Sequence, residues 1–246
     1  MTSTLQFRAH LLKRCLPAII ALTGSGMAFG QAEQPAAPPQ KPQANPENPA
    51  LRSHGQSVKA TSEESLVNKL QLERLTNAAD KVLNRIQNEE NDLYLRVNYF
   101  EKPDRLDPNS YASKEEVAQW QGSLQQLKDK HDLVTQLYAD LGKDLDAVFK
   151  DCGVSKDLVD QFKKLVMDGF PWEEIEKKKK LIADLIDEQG KLLSFYDKNW
   201  GSWTPRTNPN KPEFTSASAA SIYKKLRDEI LNTNEQIEKE YKAMSE

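Results

Sequence analysis

Residues 113–153 read SKEEVAQWQGSLQQLKDKHDLVTQLYADLGKDLDAVFKDCG, and this stretch decides the fold. It holds no proline, and Val117, Trp120, Leu124, Leu127, Val134, Leu137, Leu141, Leu145 and Val148 recur at threes and fours, the spacing of one face of a helix. Ser113-x-x-Glu116 has the form of a capping box at its start, and Cys152-Gly153 supplies its stop. His131 is the polar member of an otherwise apolar seam.

The same pattern extends in both directions, divided by the prolines at 103, 108, 171, 205, 209 and 212. Upstream, Thr61-x-x-Glu64 predicts the start of a helix that carries Leu72, Leu75, Ala79, Val82, Ile86, Leu93, Val97 and Phe100, with a polar gap at Glu89 and Glu90. Downstream, a short amphipathic helix is expected over 155–168, with Leu158, Phe162, Leu165 and Val166 inward and Gly169 at its end. Pro171 then opens a helix carrying Ile175, Ile182, Leu185, Ile186, Gln189, Leu192, Leu193, Tyr196 and Trp200. A last helix from about Ser216 uses Tyr223, Leu226, Ile230, Ile237, Tyr241 and Met244, with Asn234 in the seam. Short turns between long helices favour antiparallel neighbours. The expected fold is therefore all-α: an elongated, coiled-coil-like up-down-up-down four-helix bundle over 61–246, with a short extra helix between the second and third long helices. A dimer of two long hairpins is the structural alternative, and no strand is expected.

The N-terminal sixty residues read differently. Arg8, Lys13 and Arg14 precede the mostly apolar run Cys15 to Leu22, and Ala28-Phe29-Gly30 places small residues before Gln31, the pattern of a secretory signal peptide over 1–30. The apolar run is broken by Thr23-Gly24-Ser25-Gly26 and falls short of the roughly 20 residues a membrane span needs. Arg14 in front of Cys15 argues against a lipoprotein. Residues 31–60 hold prolines 35, 38, 39, 42, 46 and 49 among Ala, Gln and Asn, and are expected to be a disordered linker with a solvated His54. These features predict export to the periplasm or outside the cell of a Gram-negative bacterium, with no integral span in the mature chain.

Charge and composition narrow the function. Of 246 residues, 34 are Lys or Arg and 37 Asp or Glu. Loss of Arg8, Lys13 and Arg14 with the leader moves the net charge from −3 to about −6, which disfavours nucleic acid as a partner. Three histidines, two cysteines and ten glycines leave little material for metal, redox or phosphate-loop chemistry.

Three local features bear on sites. In the expected topology the loop after the first long helix and the loop before the last emerge at one end, rich in aromatics; Tyr99, Tyr111, Trp200, Trp203 and Arg206 are the candidate binding residues there. The alternative is that these rings fold back and plug the bundle. Antiparallel pairing about residues 103–112 places Ile86 opposite His131 and Glu89 opposite Leu127, so a carboxylate of Glu89 or Glu90 could reach His131. The Glu-x-x-His repeats of di-metal bundles are missing, and the expectation is a polar core layer without metal. Cys152, alone after leader removal, is either a small packed residue or a link between two chains. It lies too far along a continuous helix from His131 to form a dyad. Lys177-Lys178-Lys179-Lys180, with Glu173, Glu174 and Glu176 four residues earlier, reads as a solvated face.

No catalytic residue and no cofactor is predicted. The expectation is an exported, non-enzymatic protein acting by protein–protein contact or self-association: a scaffold, a secretion or virulence accessory, or a chaperone. The alternative is a module that binds a glycan or lipid at the aromatic end or in the bundle interior.

Overall fold

The computed structural model describes residues 50–204 and 212–243, with side chains from residue 66 onward apart from Tyr241 and Ala243. The expected signal peptide, the linker up to residue 49, Arg206, and the side chains of Tyr241 and Met244 lie outside these residues. Mostly helical, the chain runs through α1 (Ala50–Phe100), α2 (Lys114–Phe149), α3 (Lys156–Asp168), α4 (Trp172–Lys198) and α5 (Ala217–Ala243). Two 3₁₀ turns, Pro103–Leu106 and Pro108–Ser110, lie between α1 and α2.

Local chemistry explains the boundaries. Ser113 Oγ accepts from the Glu116 backbone N–H at 3.3 Å and starts α2, while Glu116 turns its carboxylate back onto the Ala112 N–H at 2.7 Å. Gly153, with φ of 64°, sits where the chain reverses after α2, a conformation other residues adopt only at a cost. Ser216 Oγ bonds the Ala219 N–H at 3.4 Å at the head of α5.

Two features differ from the sequence expectation. α1 begins at Ala50, so residues 50–60 are helical and Thr61 and Glu64 stand inside the helix. The prolines of the expected linker stop at Pro49, and a helix anchored by a core extends cheaply into any proline-free segment before it. A small antiparallel ribbon also occurs where no strand was expected, Trp203–Thr204 (β1) against Glu213–Phe214 (β2), with Trp203 opposite Phe214.

α1 packs on α2, α2 on α4, and α4 on α5, while α3 lies against α2. Each of the three long pairs runs antiparallel. Lys130 meets Glu89 and Cys152 meets Arg74 across α1 and α2; His131 meets Lys179, and Leu124 faces Gly190, across α2 and α4; Thr233 meets Glu188 and Lys177 meets Glu240 across α4 and α5.

The core has two sections along the α1–α2 hairpin. One joins Leu72 to Ile86 of α1 to Leu137 to Phe149 of α2, closed by Phe162 and Val166 of α3 and by Phe170. The other joins Leu93, Val97 and Phe100 to Val117 to Val134 of α2, to the apolar face of α4, and to Tyr223, Ile230 and Ile237 of α5. All eight apolar positions read for α1 are buried. A fully buried leucine such as Leu127 or Leu185 contributes about 2 kcal/mol through burial. At the end of α2, Phe149 takes the inward place and Val148 is only partly buried. In α5, Thr233 is buried beside the half-buried Asn234. No described helix is long and apolar enough to cross a membrane.

Candidate functional site: the aromatic end and the polar layer

The loop at residues 101–113 folds back over the ends of α4 and α5. Its keystone is a backbone atom. The Leu106 carbonyl accepts the hydroxyl protons of both Tyr196 and Tyr223, each at 2.8 Å, and all three residues are buried. Burial pushes the Tyr223 phenol up to about 12 and the Tyr196 phenol well above its ordinary value, so both remain donors at any physiological pH. Below this, the Gln189 amide donates to the Phe100 carbonyl at 3.1 Å, satisfying an acceptor that the end of α1 would leave open.

Arg105 holds the outer side of the loop. Its guanidinium lies 4.7 Å from the Trp120 ring centre and 5.5 Å from that of Tyr111, while Nη1 donates to Glu116 and to the Ser110 carbonyl. The Ala112 N–H, and then Arg105, hold the Glu116 carboxyl below its usual range. Tyr99 stacks flat on Trp120 at 4.6 Å but remains 44% exposed. Tyr111 is buried, and its hydroxyl donates to the Arg105 carbonyl.

The second loop supplies the other rings. Trp200 and Trp203 meet edge to face at 5.2 Å, both half-buried, and Trp203 also packs against Tyr196 and Phe214. Phe214 in turn reaches Phe195 and Tyr223. The structure thus brings Tyr111, Trp200 and Trp203 to one end, where most ring faces are engaged with one another. Tyr111 has no free face to offer; Tyr99, Trp200 and Trp203 keep exposed edges.

The polar layer is wired differently from the expectation. His131 is buried, but its Nε2–H donates to the Lys179 carbonyl of α4 at 3.0 Å, and Nδ1 faces Asp132 at 3.4 Å. Neither Glu89 nor Glu90 bonds it. Glu89 pairs with Lys130 at 2.6 Å, together with Asp92, so it stands beside Lys130 and not Leu127. Glu90 accepts from the Tyr94 hydroxyl at 2.9 Å and also engages the Tyr138 hydroxyl.

Lys178 is the largest departure. Read as part of a solvated run, it is only 8% exposed, with Nζ 5.9 Å from the Tyr94 ring centre. Burial lowers its pKa, while Glu90, Glu174 and Glu240 act in the opposite direction. The spacing held the signal, since 178 stands three residues after Ile175 and four before Ile182 on the inward face. Its neighbours pair differently from the expected four-residue spacing: Lys179 pairs with Glu176, three residues earlier, and Lys177 with Glu240 of α5.

Cys152 is half-buried against the α1–α2–α3 section, with its thiol directed at the Val148 carbonyl at 3.3 Å. α2 is unbroken from Lys114 to Phe149, which keeps Cys152 remote from His131. Among the described residues, no group of three or more His, Cys, Asp and Glu side chains is arranged to hold a metal ion. Comparison with known proteins gives no match to a family model, to a curated protein or to a solved structure.

Proposed function

We propose that this chain is an exported, non-enzymatic helical-bundle protein that works by protein–protein contact in the bacterial envelope or outside the cell, as a scaffold, secretion or virulence accessory, or chaperone. The observation that carries this reading lies in the N-terminal half of α1. Leu66, Val67 and Leu70 are 59%, 51% and 56% exposed, and spacings of three and four put them on one face of the helix. Arg74 is already level with Cys152, beyond the last turn of α2, so these side chains stand past the hairpin partner. Three adjacent exposed aliphatic side chains on a regular helix are the usual form of a helix-to-helix contact.

The antiparallel pairings of α1 with α2, α2 with α4 and α4 with α5 support an up-down-up-down bundle as its scaffold. The enzyme alternative has little support, because His131 and Cys152 are spent on separate structural contacts. The aromatic end supports contact through the exposed edges of Tyr99, Trp200 and Trp203 as a secondary surface.

Photocrosslinking from position 70 in the exporting cell tests the reading, with position 95, exposed near the C-terminal end of α1, as the comparison. A discrete protein adduct from 70, absent from 95 and lost in Leu66→Lys, is expected. No adduct from 66, 67 or 70, or the same smear as from 95, overturns it. Running the adduct with and without reductant shows whether Cys152 joins two chains.

A further inference from the structure

The two core sections meet imperfectly. Where α4 crosses the α1–α2 hairpin, a pocket of about 140 Å³, partly open to solvent past Ala139 and Glu176, remains, lined by Leu93 and Tyr94 of α1, Val134 and Tyr138 of α2, and Ile175 and Ile182 of α4 among others. Tyr138 packs against both sections and marks the seam between them. The inner wall of the pocket is formed by buried side chains, Leu93, Val134, Ile182 and Lys178.

Its lining is asymmetric. Aliphatic and aromatic carbon supplies most of the wall, with Trp172 at the α4 end fixed by its indole N–H on the Met167 carbonyl at 3.0 Å. Polar side chains enter from Glu90 and Lys178, and from Thr135, Glu176 and Lys179 toward the rim. Tyr94 and Tyr138 both engage the Glu90 carboxylate and hold it in place, while Lys178 lies over the Tyr94 ring. The His131 ring also lines the cavity, but its Nε2–H is committed to Lys179.

We propose that this cavity binds a neutral molecule of one six-membered ring carrying a single hydrogen-bonding group, of the phenol type. Size sets the first limit: cavities near 150 Å³ take one benzene ring, whereas drug-sized, glycan or acyl ligands need roughly 300 Å³ or more. Charge sets the second. The charged side chains of the lining balance, Glu90 and Glu176 against Lys178 and Lys179, so a ligand carrying its own charge would bring one charge without a counter-charge. The polar pair sets the third, because a ring hydroxyl can donate to Glu90 or accept from Lys178 while the ring fills the apolar part.

The test uses the mature chain, residues 31–246, with phenol, benzene and benzoate as probes in thermal-shift and calorimetric titrations. Phenol is expected to raise the melting temperature saturably, by about 4 °C at ten times its dissociation constant. Benzene should bind more weakly and benzoate not at all. Thr135→Phe and Ala139→Phe, two independent plugs at the cavity wall, should each abolish the phenol shift, and Lys178→Met should reduce phenol binding at least fivefold with benzene unchanged. The absence of any saturable shift with phenol, or a shift that survives in both plugs, overturns the site. Benzoate binding as tightly as phenol, or an unchanged phenol-to-benzene ratio in Lys178→Met, overturns the assigned ligand chemistry.

Discussion

The Leu106 carbonyl offers a quantitative test of how the loop at 101–113 is locked. A carbonyl oxygen has two lone pairs, and here Tyr196 and Tyr223 each donate to it at 2.8 Å. Tyr196→Phe or Tyr223→Phe removes one hydroxyl, leaves the ring packing intact and leaves the acceptor with one donor. Each single change should therefore cost about 1 kcal/mol, the net value of a typical buried hydrogen bond. The double change strips both donors from an acceptor on a residue that is 1% exposed, adding a desolvation penalty of about 1–3 kcal/mol. The pair should thus lose about 3–5 kcal/mol, more than the sum of the singles, with a coupling of about 1–3 kcal/mol in a double-mutant cycle. Urea unfolding monitored by far-UV circular dichroism measures all four corners, and the denaturant slope should stay constant across them. Additivity within about 0.5 kcal/mol would refute the reasoning, because water would then replace the phenols and the end of the bundle would not be dry.

Three further outcomes follow from the same geometry. Trp203→Ala removes a half-buried ring from contacts with Trp200, Tyr196 and Phe214, and should cost about 2 kcal/mol by urea unfolding; an unchanged midpoint would show that the ring is held for a partner instead. Gly122, inside α2 with open space around its α-carbon, should accept Ala with a gain of about 0.8 kcal/mol, whereas Gly153→Ala at φ of 64° should lose about 1 kcal/mol; equal effects in a melting experiment would contradict the assigned backbone conformations. Burial, and then Glu238, raise the Glu101 carboxyl above its ordinary 4.5, and its Oε1 has no hydrogen-bond partner. The folded state therefore holds this proton more tightly than the unfolded chain, so the contribution of Glu101 is most favourable below pH 4.5 and is lost as pH rises through the folded value. Glu101→Gln should melt above the parent protein at pH 7 and level with it at pH 4; the reverse order would refute the assignment.

What the sequence made legible was whatever a single helix records about itself. The α1 core positions could be read because each buried side chain repeats the spacing of the one before, and the caps at Ser113 and Ser216 because the bonding partner is three residues away. The early start of α1 was hidden by composition: the prolines of residues 31–49 set the average for the segment and obscured the proline-free run behind Pro49. The polar layer was misplaced for another reason. His131 chooses an acceptor 48 residues away on α4, and Glu90 is claimed by two tyrosines, one of them on α2; such partners depend on how helices distant in sequence come to lie side by side. Lys178 lies between these cases. Its position on the inward face was written in the spacing, but the run of four lysines suggested solvent, and periodicity proved the stronger physical constraint because the helix cannot rotate one residue outward without taking Ile175 and Ile182 with it. The buried ammonium and the cavity beside it are therefore consequences of the same fact: at the crossing of α4 with the hairpin, the chain places a charge where close packing would have called for carbon.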